Sequence, residues 1–65
     1  MKVIVKKYYR YNEDCNWQLD TEQVKEFTEE QFNEFKEYAG FDYNERYNEY
    51  YSEGYNKLTI VKPQA

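Results

Sequence analysis

The sequence predicts an α+β domain, with one amphipathic helix packed on a small three- to four-stranded, mostly antiparallel sheet. Three observations point to this fold. Both ends of the chain are rich in β-branched and aromatic residues, the middle carries apolar residues at helical spacing, and Gly40 and Gly54 stand where turns are needed. At 65 residues the chain is expected to form a single domain over residues 1–65. A domain of this size buries only about 60 % of its unfolded surface, which leaves no room for an enclosed active site of ordinary size.

Residues 1–11 read as a strand. Val3, Ile4 and Val5 are β-branched, and Tyr8, Tyr9 and Tyr11 suit a pleated surface. Alternation places Val3, Val5, Tyr9 and Tyr11 on one face and Lys2, Ile4, Lys6, Tyr8 and Arg10 on the other. A polar turn, Asn12-Glu13-Asp14-Cys15-Asn16, follows.

The middle segment supports two readings. In one, a single helix runs from Thr21 to Ala39, with Asp20 as N-cap, Gln23 closing a capping box, and Leu19 and Val24 forming a staple. Val24, Phe27, Phe32, Phe35, Tyr38 and Ala39 then share an arc of about 140°. In the other, Thr28 is the N-cap, Gln31 closes the box, Phe27 staples to Phe32, and residues 17–27 form a second strand paired with the first. The equal lengths of segments 1–11 and 17–27 favour the strand. The polar run 20–23 and the cleaner helical periodicity favour the long helix, which is the expectation taken forward.

The C-terminal part has one reading. Gly40 suits a left-handed C′ position with Phe41 as its C″ contact. Residues 47–51 and 55–62 form a hairpin around a 52–54 loop, with Gly54 in its left-handed site. Leu58 and Ile60 are expected to face the helix, Lys57, Thr59 and Val61 to point outward, and Pro63 to end the strand.

Composition narrows the function. Aromatic residues make up 22 % of the chain, too many for a disordered tail. With no histidine and a single cysteine, a disulfide framework, a histidine-based triad and a Cys/His zinc site are excluded. No apolar run approaches the roughly 18 residues of a membrane span, so no membrane partner is expected. The chain starts at Met1 and its N-terminus lacks a signal-peptide core, so a complete cytoplasmic protein is expected. A palette rich in Tyr, Asn, Glu, Lys and Phe matches AT-rich codons, hence a low-GC bacterium or one of its phages.

Few groups suggest reaction chemistry. Cys15 sits beside Glu13 and Asp14 with no base to activate it, and reads as a turn thiol. The acid pairs Asp20/Glu22 and Glu29/Glu30 lack a cation-loop pattern and read as capping and solvated charges. No cofactor and no catalytic residue is expected.

Charge and aromatic surface are more informative. Residues 1–11 carry four bases and no acid, whereas all thirteen acids lie between Glu13 and Glu53. On the long helix, Glu22, Glu26, Glu29, Glu30, Glu34 and Glu37 would span about 22 Å. That is about one charge per 4 Å, near the roughly 3.4 Å phosphate spacing of a DNA strand. The like-charge i,i+4 pairs along this row disfavour the helix, so the row suggests a partner-binding ridge. Tyr47, Tyr50 and Tyr51, within a cluster extending from Tyr43 to Tyr55, would add apolar anchoring.

The functional expectation is therefore a small non-enzymatic protein-binding protein. In its sharpest form it is a phage- or mobile-element-encoded inhibitor of a host nucleic-acid-processing or defence enzyme, anti-CRISPR-like or anti-restriction-like. It would occlude a basic nucleic-acid-binding groove and bind no nucleic acid itself. Two alternatives are a nucleic-acid-binding module using Lys2, Lys6, Tyr8, Arg10 and Lys57, and a structural protein whose tyrosines form a homodimer or larger assembly. Pairing of those lysines with Glu45 or Glu49 is the plainer use of the basic strand.

Overall fold

The computed structural model describes residues 1–64, with Ala39 described in its backbone only. The elements are β1 (Lys2–Tyr9), β2 (Gln18–Glu26), α1 (Glu29–Ala39), β3 (Asp42–Asn44), β4 (Glu49–Glu53) and β5 (Lys57–Gln64). The strands form one five-stranded sheet of order β2-β1-β5-β4-β3, every neighbouring pair antiparallel. The α+β class holds, while the sheet is larger than the three to four strands expected.

The long helix is overturned. Residues 18–26 are a strand, paired along β1 from Lys2↔Glu26 to Tyr9↔Gln18. Cross-strand electrostatics supplies a reason. On a helix Glu22, Glu26, Glu30 and Glu34 would stack at i,i+4 spacing. On β2, Glu22 and Glu26 instead lie opposite Lys6 and Lys2. The 12–16 turn makes the return possible: the Asn12 side chain accepts from the Asp14 amide at 2.9 Å, and the Asn12 carbonyl from the Cys15 amide at 3.1 Å. One irregularity remains, since the partner jumps from Thr21 to Leu19 between Lys7 and Tyr8, leaving Asp20 as the extra residue of a bulge.

The helix starts at the second of the two predicted caps. The Thr28 side chain accepts from the Gln31 amide at 3.1 Å, and the Gln31 side chain accepts from the Thr28 amide at 3.0 Å. It ends at Gly40, whose φ of 65° is left-handed, with the Gly40 and Phe41 amides both donating to the Lys36 carbonyl. Phe41 then meets Phe35 at 5.4 Å between ring centroids, the hydrophobic contact that accompanies such caps. The broad apolar stripe expected of an amphipathic helix is narrower in fact. Phe32 is buried and Phe35 half-buried, but Tyr38 is 96 % exposed, and the Ala39 side chain lies outside the described residues.

The core is small: Val3, Val5, Phe32 and Val61, with Phe27, Phe35, Phe41 and Tyr50 packed against it. Each fully buried side chain of this kind contributes roughly 1.5–3 kcal/mol. A run of aromatic contacts links helix to sheet, from Phe41 through Phe35 and Phe27 to Phe32, then to Tyr50 and Tyr43. Lys36 lies over the Phe32 and Tyr50 rings at 4.8 and 4.6 Å, adding cation–π attraction where helix meets sheet.

The C-terminal hairpin also departs from expectation. Val61, opposite Val5 on one side and Tyr50 on the other, is fully buried, so Val61 rather than Leu58 and Ile60 faces the helix. The β4–β5 loop falls at Gly54–Asn56, later than the expected 52–54, and Gly54 is not left-handed. The left-handed non-glycine residue is Asn48 (φ 48°), in the β3–β4 turn, where its side chain accepts from the Tyr43 hydroxyl at 2.8 Å. Pro63 does not end β5 but pairs with Val3. It is tolerated because β4 reaches only as far as Val61, leaving that side of β5 an edge where no N–H is needed.

Candidate protein-binding surfaces

The register divides the side chains between two sheet faces. Helix α1 lies over the face carrying Val3, Val5, Val61 and Tyr50. The opposite, open face carries Lys2, Ile4, Lys6 and Tyr8 from β1, with Lys62, Ile60 and Leu58 opposite them on β5. Val24 and Leu19 extend it onto β2, and Tyr51 onto β4. Val24 is 66 % and Leu19 52 % exposed. At its centre is a depression of about 130 Å³ lined by Ile4, Lys6, Tyr8, Glu49, Ile60 and Lys62.

This apolar strip was only partly visible in the sequence. Alternation along β1 sets Ile4 beside the lysines, as found, whereas Leu58 and Ile60, expected in the core, lie opposite Tyr8 and Lys6 on the open face. The β5 segment Leu58-Thr59-Ile60-Val61 has apolar residues on both alternations, so only its pairing with Val5 decides which face is inside.

The six glutamates expected to form one ridge are separated. Glu22 and Glu26 lie on β2 and project to the open face with their partners Lys6 and Lys2. Glu29, Glu30, Glu34 and Glu37 lie on α1, across the sheet, and all are exposed. The continuous 22 Å row, and with it the spacing match to a DNA strand, is therefore absent. What survives is a shorter patch. At 100° per residue Glu30, Glu34 and Glu37 fall within about 60° on the solvent side of α1. Tyr38 borders them, and with Gln31, Glu34, Phe35 and Glu37 it lines an open hollow on the helix.

The tyrosines do not converge either. Tyr50 is half-buried between Phe32 and Tyr43 under the helix side of the sheet. Its neighbour Tyr51 projects to the open face opposite Ile60. Tyr47 stands in the β3–β4 turn with Arg46 5.4 Å from its ring centre. Alternation in β4 and the turn before it send these three to different surfaces.

The basic strand is likewise divided. Lys2, Lys6 and Tyr8 share the open face, but Lys57 pairs with Tyr9 on the other. Arg10 serves the loops: its guanidinium lies 4.2 Å from the Trp17 ring centre and donates to the Tyr55 carbonyl at 3.1 and 3.3 Å. Lys6 pairs with Glu22 at 3.6 Å rather than with Glu45 or Glu49. Cys15 is free and exposed in its turn. Among the described residues no three acids or cysteines are grouped to hold a metal ion, and no helix is long and apolar enough to cross a membrane.

No protein-family model, curated protein or solved structure matches the chain.

Proposed function

We propose that the chain is a small non-catalytic binding protein that covers a basic surface of a protein partner. The observation that carries this reading is the solvent face of α1, where Glu30, Glu34 and Glu37 surround one side of the 96 %-exposed Tyr38. Tyrosine gives a large rigid contact with a polar tip, and flanking carboxylates select a basic rim around it. In its specific form the partner is a host nucleic-acid-processing or defence enzyme, the protein is a phage- or mobile-element-encoded inhibitor of the anti-CRISPR or anti-restriction kind, and the setting is the bacterial cytoplasm. Inhibition is then by local occupation of the groove. It does not require imitation of a long stretch of backbone.

The test is displacement. A labelled duplex bound to a restriction or CRISPR nuclease of a low-GC host is titrated with the protein at rising ionic strength. The expected result is release of the duplex near 0.05 M salt that fades toward about 0.5 M, as the screening length falls. Absence of release across such a panel at low salt counts against the inhibitor reading.

The open face favours a second reading. Lys2, Lys6 and Lys62 stand beside Tyr8 and Ile4 there, cations and a ring on a bare sheet of the kind that meets a nucleic-acid strand, with Glu22 and Glu26 on the same face offsetting part of the charge. A mobility shift of labelled single- or double-stranded probes by the protein alone would select this reading over the inhibitor.

A further inference from the structure

Strand β2 is one of the two edges of the sheet, paired with β1 among the described strands, and all nine of its residues are exposed. One side of its backbone therefore offers unpaired N–H and C=O groups to an incoming strand. Charge is concentrated on this same side. Residues 13–26, which comprise β2 and the turn that leads into it, hold five acids against Lys25, a net −4. The rest of the chain is consequently net neutral.

From this arrangement we infer that β2 takes up an extended basic segment of a partner protein by strand addition. The register specifies the segment. On the open face β2 presents Glu22, Val24 and Glu26 at alternate positions, and on the other face Thr21, Gln23 and Lys25. The fitting strand has a basic, an apolar and a basic residue at successive alternate positions, with small polar residues between them. A second copy of this chain does not fit. Antiparallel pairing of β2 with itself about Val24 sets Glu22 of each copy against Glu26 of the other, and like charges facing each other across a ladder are destabilising. The inference stands apart from the helix-face proposal, since it uses a different surface and the backbone rather than Tyr38.

The experiment uses the full chain and a synthetic capped peptide, Thr-Lys-Thr-Val-Thr-Lys-Thr, whose pattern reads alike in both directions. The expected result is saturable binding that slows amide exchange at alternate residues of β2 and leaves α1 unaffected. A peptide with glutamate for both lysines, and one with proline for the central Val-Thr pair, should each bind at least about tenfold more weakly. Val24→Lys, at a site already exposed, should fold normally by circular dichroism and lose a similar factor. Three results would overturn the proposal. One is no binding, another is binding without protection of β2, and the third is a dimer in light scattering whose β2 amides are already protected without peptide.

Discussion

Lys6 reaches from β1 across to Glu22 on β2, Nζ to Oε1 3.6 Å. This pair reports which of two structures the middle of the chain adopts, because only a strand at 18–26 brings the two side chains together. Both side chains remain well solvated, so their direct contribution is small. A double-mutant cycle with Lys6→Ala and Glu22→Ala should give a coupling of about 0.2–1 kcal/mol in urea unfolding, and it should shrink in about 1 M salt.

The helix start rests on the reciprocal bonds between Thr28 and Gln31. Thr28→Ala removes the acceptor for the Gln31 amide and should cost about 1 kcal/mol. Thr28→Ser keeps the acceptor and should cost much less. Chemical denaturation of the two variants side by side checks this.

The helix end rests on Gly40. A Cβ there would meet nothing within 4 Å, so Gly40→Ala introduces no clash. The cost comes from the left-handed backbone alone, about 1–2 kcal/mol, and should appear as a lower unfolding midpoint at unchanged denaturant slope.

These features differ in how far the sequence discloses them. The two helix ends are local: Thr28 with Gln31, and Gly40 with Phe41, each carry their signal within a few residues. The identity of residues 20–27 is not local. Val24 and Phe27, three residues apart, share a face of a helix but fall on opposite faces of a strand, so local periodicity points to the helix and the decision for a strand comes from pairing with β1, some twenty residues away. Register hides the binding surface in the same manner. Leu58 and Ile60 alternate with Val61, and either set could have been the inner one. Gly54 is not left-handed in the β4–β5 loop, whereas Asn48 is in the β3–β4 turn, where its side chain accepts from the Tyr43 hydroxyl of the preceding strand. The consequence for function is direct, because dividing the acids between β2 and α1 replaces one long ridge with two smaller surfaces.

Tyr38 tests the helix face without disturbing the fold. It is almost wholly exposed, so Tyr38→Ala should change stability by no more than about 0.5 kcal/mol. The same substitution should weaken partner binding at least about tenfold if the ring is the anchor. Titration calorimetry or fluorescence anisotropy with the partner gives the second value, thermal unfolding the first.

The most direct measurement compares two charge reversals in displacement of a duplex from a nuclease groove. One variant carries Glu30→Lys, Glu34→Lys and Glu37→Lys on α1, and the other Glu22→Lys and Glu26→Lys on β2. The helix variant should lose displacement while keeping the circular dichroism of the parent, and the strand variant should stay within about threefold of it. Displacement that survives reversal of the helix face, or that depends on Glu22 and Glu26 instead, would contradict the assignment of α1 as the surface that meets the partner.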